Sequence, residues 1–163
     1  MKRIYTFGHE QVERNLTVGD IIENKANDVK MTQVTAQNAQ EAEILADQDI
    51  DMIITGSDWY EDVRSGAPNT FITAALFAGR YITNEEILEG AFKAAMAGAD
   101  SVLTPRGMDV VEMLSSQGFA VQGHVGMVPS LSTQYGDNII DLEARLEVRS
   151  LFSLNWWPFV TRI

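Results

Sequence analysis

Val121-Gln122-Gly123-His124-Val125-Gly126-Met127-Val128-Pro129-Ser130 places a strand, the end of that strand and a chemically usable histidine next to one another. Phe119, Val121, Val125 and Val128 favour extended backbone, while Gly123 and Gly126 bracket His124 and let the chain bend or let another group approach the main chain. A strand that closes on such a turn suits a ligand site. The competing reading is a packed or hydrogen-bonded strand histidine with no ligand, and the context on either side bears on the choice.

Working back from this stretch, Ser101-Val102-Leu103-Thr104-Pro105 reads as a strand and residues 108–116 as a helix stopped before Gly118. Before them, Thr83-Asn84-Glu85-Glu86 has the pattern of a capping box, with Ile87, Leu88, Ala91, Ala94 and Ala95 along one helical face and Gly98-Ala99-Asp100 ending the helix. Residues 70–76 and the apolar run Asp51-Met52-Ile53-Ile54-Thr55-Gly56 read as two further strands, the second buried on both faces. The polar segment 57–69 between them, with Ser65-Gly66-Ala67-Pro68-Asn69, reads as a loop with one helical turn. Residues 29–36 alternate with β-branched content and form the first strand of the series, and 38–46 turns to helix-forming Ala, Glu and Leu. A short helix behind Thr17, with Val18, Ile21 and Ile22 at helical spacing, precedes them, and residues 1–15 read as a leader.

Strand and helix therefore alternate every ~20 to 30 residues, the pattern of an α/β protein. A doubly wound sheet and a (β/α)8 barrel both satisfy that periodicity. The repeat stops near Gly136: residues 139–151 suit a charged amphipathic helix, and the tail 137–163 carries Trp156, Trp157, Pro158 and Phe159 with no sixth strand-helix unit.

Composition narrows the function classes. The 163 residues suffice for one domain with a real core, and 45% hydrophobic against 21% charged residues is the balance of a folded globular chain. With 12 Lys+Arg against 23 Asp+Glu the net charge is -11, which disfavours a hold on nucleic acid phosphates. No apolar run reaches the ~18 residues needed to span a bilayer, and the N-terminus lacks the apolar segment of a secretory signal, so no membrane partner and a cytoplasmic location are expected. There is no cysteine, so any metal must be held by oxygen or imidazole. The 7 methionines are scattered as core fillers, and His9 has no partner in sequence.

Four pieces in one order resemble ketopantoate hydroxymethyltransferase, the 3-methyl-2-oxobutanoate hydroxymethyltransferase family of the phosphoenolpyruvate/pyruvate barrels. They are Thr17-Val18-Gly19-Asp20-Ile21, Val34-Thr35-Ala36, the pair Ile54-Thr55-Gly56-Ser57-Asp58 and Ala97-Gly98-Ala99-Asp100, and Gly123-His124-Val125-Gly126-Met127-Val128-Pro129-Ser130, similar to the family's G-H-[LI]-G-L-T-P-Q. The resemblance covers residues 16–136. It implies a (β/α)8 TIM-type barrel, here with about five βα units where a whole barrel takes about 200 residues or more. It further implies one-carbon transfer from 5,10-methylenetetrahydrofolate to 2-oxoisovalerate in pantothenate biosynthesis. In that family Mg2+ holds the 2-oxo acid and stabilises the enolate formed when a carboxylate base removes a proton.

Residue by residue, the resemblance makes His124 the catalytic candidate, Ser57 and Asp58 substrate-binding candidates, and Asp58 the metal candidate. Thr55-Gly56-Ser57-Asp58 stands where the family has V-G-D-S, with serine and aspartate exchanged. Thr73-Ala74-Ala75-Leu76-Phe77 supplies no carboxylate where the family has A-D-L-P-F, and Val102-Leu103-Thr104-Pro105-Arg106-Gly107 lacks the lysine and glutamate of V-K-I-E-G-G. The strand carrying the family's general-base glutamate falls beyond the resemblance.

Three functions are carried forward. The first is a hydroxymethyltransferase-like barrel that is weak or inactive. The second is a non-catalytic barrel fragment serving as an oligomerising or binding module. The third is a related 2-oxo acid lyase. Two structural expectations go with them: His124 ends a strand beside residues 101–104 on the side of Ser57 and Asp58, and an incomplete sheet exposes an edge that drives homo-oligomerisation, with Trp156, Trp157 and Phe159 as a partial cover.

Overall fold

The computed structural model describes residues 1–124, Val128 and residues 160–161. An antiparallel hairpin of β1 (Lys2–Tyr5) and β2 (Gln11–Arg14) leads into α1 (Val18–Ala26). The series then runs β3 (Gln33–Thr35), α2 (Ala39–Ala46), β4 (Met52–Gly56), α3 (Tyr60–Gly66), β5 (Phe71–Ala75), α4 (Asn84–Met96), β6 (Ser101–Thr104), α5 (Met108–Ser116) and β7 (Val121–His124), with β8 (Val160–Thr161) beside β7.

The strands lie in the order β3-β4-β5-β6-β7-β8, every neighbouring pair parallel. A doubly wound sheet reverses its strand order at a switch point so that helices cover both faces. Here the order never reverses, and right-handed crossovers then put every connecting helix on one face.

The pleat sorts the side chains accordingly. Ile53, Ile72, Val102 and Val121 are paired by register on the outer face and are buried against helix residues such as Val63, Ala91, Val110 and Leu114. The inner face carries Gln33, Thr73, Ser101 and Gln122. Gln33 Nε2 reaches Gln122 Oε1 at 3.4 Å, and Gln122 Nε2 returns a bond to Gln33 Oε1 at 3.2 Å. In a flat sheet β3 and β7 would stand about 19 Å apart. Two extended glutamine side chains joined by a hydrogen bond span only about 13 Å, so the sheet is strongly curved. Sequential order and curvature together make this an incomplete (β/α)8-type barrel, which periodicity left undecided.

Helix starts follow the sequence. Thr17 Oγ1 accepts from the Asp20 N–H while the Asp20 carboxylate accepts from Thr17 N–H, and Thr83 with Glu86 repeats the device at α4. α3 corrects the reading of 57–69 as a loop with one turn. It is a helix whose N-cap, Trp59, makes no side-chain capping bond, so the usual sequence signature is missing. Asp62 instead accepts from Ala39 N–H at 3.0 Å, binding α3 to the start of α2. There the two helices touch backbone to backbone: a Cβ on Gly66 would lie 2.0 Å from the Ala39 carbonyl oxygen, which only glycine permits.

Two other expectations change. The segment 1–15, read as a leader, is the β1–β2 hairpin and its exit, lying against the N-terminal strand ends over a cavity of about 170 Å3 lined in part by Ile4, Phe7, Phe71 and Phe119. The five expected strands also gain a two-residue neighbour, Val160 and Thr161 pairing in parallel with Gly123 and His124, while the residues between lie outside the described ones. The expectations for residues 139–151 and for Trp156, Trp157 and Phe159 lie outside the described residues.

The hairpin is anchored by charge. Arg14 Nε donates to Asp100 Oδ1 at 2.7 Å and Arg64 Nη2 to Asp100 Oδ2 at 2.6 Å, with the three side chains 3%, 14% and 8% exposed in the order Arg14, Arg64, Asp100. Asp100 Oδ2 also accepts from Ile72 N–H, and both guanidinium groups donate to backbone carbonyls, including Pro68 and Gly98. Burial pulls Arg64 down to about 10, with the Asp100 carboxylate opposing it.

Candidate active site at the C-terminal strand ends

Because β4 to β7 are parallel, their C-terminal ends form one edge: Gly56, Ala75, Thr104 and His124, with Ser57 and Asp58 directly after Gly56. His124 ends β7 beside β6, as the sequence suggested, and is half-buried. It shares the parity of Gln122, which puts it on the inner face.

Ser57 is different. Its N–H still bonds Ala75 carbonyl at 3.2 Å, and alternation from Thr55 and Gly56 gives it the outer, helix-facing side. It lines a cleft of about 400 Å3 with Asp58, Tyr60, Glu61, Tyr81 and Lys93, between the starts of α3 and α4. The fold thus brings Ser57, Asp58 and His124 to one edge but puts Ser57 and His124 on opposite faces of the sheet. The buried hydroxyls of Thr55 and Ser57 have no hydrogen-bond partner among the described residues.

Several contributors at this edge left little trace in the sequence. Gly56 has no side chain, and the space a Cβ would enter is occupied by the Trp59 and Phe77 rings, 3.0 and 3.2 Å away. Both rings remain partly open to solvent, at 41% and 54% exposure. Arg106 Nη1 donates to the carbonyls of Tyr81 and Ile82, fixing the β6 end to the segment before α4. Burial raises the Tyr60 phenol above its ordinary value, with the Glu61 carboxylate adding to the effect.

The resemblance implies a magnesium ion at this edge, held by carboxylates. Asp58, half-exposed, is ion-paired with a similarly exposed Arg80. β5, which would carry a second carboxylate, presents Thr73, Ala74 and Ala75, all buried. Among the described residues no group of three His, Asp or Glu side chains is placed to hold a metal ion. A hard divalent cation wants several oxygen ligands, carboxylates foremost, and the described residues at this edge do not fit one.

A 3-methyl-2-oxobutanoate hydroxymethyltransferase from Kosmotoga olearia is 30% identical over 139 residues, covering 70% of this chain and 52% of the relative. The same-named protein of Photorhabdus laumondii is 30% identical over 138 residues, with the same coverage. By sequence the chain is similar to the 3-methyl-2-oxobutanoate hydroxymethyltransferases over 70% of its length. It spans about half the length of the curated relatives it matches. No family model matches it. Among solved structures, 2,3-dimethylmalate lyase, a PEP mutase/isocitrate lyase superfamily member, superposes with a TM-score of 0.55 at 11% identity, covering 79% of this chain and 59% of the lyase. That likeness concerns the fold alone.

At its C-terminal strand ends the chain departs from the hydroxymethyltransferase motifs, with Ser57-Asp58 exchanged and no carboxylate on β5. Arg80 lies 22 residues from Asp58, too far for a local motif to announce the pair. Two glutamines at inward positions of otherwise β-forming stretches, Gln33 and Gln122, were the available signal for the polar inner face.

Proposed function

We propose that this chain is a cytoplasmic, hydroxymethyltransferase-like barrel protein that takes a small 2-oxo acid at the C-terminal strand ends. His124 is the reacting group, and Ser57 and Asp58 stand at the same edge of the sheet, in the outer cleft at the end of β4. Transfer of a one-carbon unit from 5,10-methylenetetrahydrofolate to 2-oxoisovalerate is weak or absent. The observation that carries the reading is the parallel register, which gathers the end of β4 and His124 at one edge of a barrel sheet, where barrels of this type keep their sites. The weakness is inferred from the carboxylates: Asp58 stands in an exposed ion pair with Arg80 and β5 supplies none, so few oxygen ligands are at hand for a cation that would stabilise an enolate.

The test is calorimetric titration of the purified chain with 2-oxoisovalerate, with and without Mg2+, beside an assay for hydroxymethyl transfer. Binding that needs no Mg2+, falls at least tenfold in His124→Ala and gives no transfer is the expected result. Efficient transfer would overturn the inactive part of the reading, and absence of binding would overturn the 2-oxo acid part. One observation favours a second reading as an oligomerising module: β3 ends the sheet, so its outer edge has no strand partner among the described residues. Light scattering at high concentration tests that alternative, with a stable monomer removing it.

A further inference from the structure

We propose that the Gln33–Gln122 amide pair is a positioning device for His124, tying β7 across the concave face of the sheet and thereby setting where the imidazole stands. The inference rests on the reading of His124 given above and deepens it. Each amide both donates to and accepts from the other, at 3.4 and 3.2 Å, across 89 residues of sequence. Gln33 Nε2 also reaches Thr73 Oγ1 at 3.2 Å, and Thr73 Oγ1 lies 2.8 Å from Ser101 Oγ. One polar chain thus links β3, β5, β6 and β7 on the inner face. Gln122, Thr73 and Ser101 are 9%, 1% and 7% exposed, a setting in which hydrogen bonds are strengthened and imperfect ones are costly.

His124 pairs with Thr161 of the two-residue β8 on one side, and the amide pair adds a side-chain tie to the other. On the β6 side the last paired residues are Thr104 and Gly123, so His124 stands one residue past the final β6 partner. The nearest inward anchor on its own strand is Gln122, about 7 Å away along β7 and on the same face. An apolar pair would pack there without fixing direction, whereas two amides fix both separation and orientation. Asparagine is one methylene too short to close the reciprocal pair, and leucine offers neither donor nor acceptor.

The chain's 2 histidines make the proposal directly testable, since His9 lies in the turn of the hairpin and serves as an internal control. Ring 13C–1H NMR spectra and urea unfolding are recorded for the full chain and for Gln33→Leu, Gln122→Leu, the double variant and Gln33→Asn. The His124 ring signals are expected to move in every variant while those of His9 stay. The folding constant should fall about tenfold in each single leucine variant, and the double variant should fall less than the product of the two, by a coupling of about fivefold or more. If Gln33→Leu does not fold, Gln33→Asn, which keeps a polar side chain, carries the NMR test. Unmoved His124 signals in a folded variant would overturn the positioning role, and additive losses would show that the pair is uncoupled. Failure of the wild type to bind 2-oxoisovalerate would refute the proposed function while leaving these spectra and the cycle unchanged.

Discussion

Asp100 offers the most demanding test of how the barrel floor is held. Replacing it by asparagine keeps the side-chain shape and an oxygen for the Ile72 N–H, so the change removes the negative charge between Arg14 and Arg64. Taking one partner from a buried ion pair costs about 3 to 5 kcal/mol because the remaining charge is left without compensation. Two guanidinium groups are stranded here, which argues for the upper part of that range. Their bonds to the carbonyls of Glu13, Ala67, Pro68, Thr70 and Gly98 oppose this, since carbonyl dipoles partly solvate each cation. A loss of about 3 to 4 kcal/mol is expected, against a typical total stability of about 5 to 15 kcal/mol. That corresponds to a fall in Tm of about 10 °C for a domain of this size. Urea unfolding followed by circular dichroism measures it, with calorimetry as a check. A loss below about 1 kcal/mol would refute the reasoning, because the carbonyls alone would then suffice to hold both cations.

Two further outcomes follow from local geometry. The Lys2 ammonium, with the Thr17 hydroxyl and N–H, holds the Asp20 carboxyl at about 2 against an ordinary 3.8. With the folded value depressed, the associated stability is present above about 3.8 and is lost as pH falls through about 2. NMR titration of the Asp20 carboxyl should show this midpoint, and Lys2→Met should move it upward; an unchanged midpoint would show that Lys2 is not its main cause. Gly66→Ala should destabilise the chain by about 1 to 3 kcal/mol through the Ala39 carbonyl, whereas Gly79→Ala, whose Cβ meets nothing within 4 Å, should stay within about 1 kcal/mol of wild type. Equal effects at the two glycines in thermal unfolding would rule out the close approach of α2 and α3.

The sequence by itself determined the elements that depend on near neighbours. The capping boxes at Thr17 and Thr83, the apolar face of α4, and the β-branched strands before Gly56 and before His124 are local hydrogen-bond and packing patterns, so they are written in adjacent residues. The family resemblance was legible for the same reason, being carried by short runs at strand ends. α3 escaped because its support comes from Ala39, 23 residues away, rather than from a cap of its own. Periodicity is the same in a barrel and a doubly wound sheet; the resemblance implied the barrel, and strand order and curvature, which only the tertiary structure carries, bear it out. The tertiary structure also decided that Asp58 meets Arg80, that Ser57 turns away from His124, and that Gln33 meets Gln122 across 89 residues. Such contacts are fixed by which strands lie side by side and how far the sheet bends, and no local stretch of chain encodes either quantity.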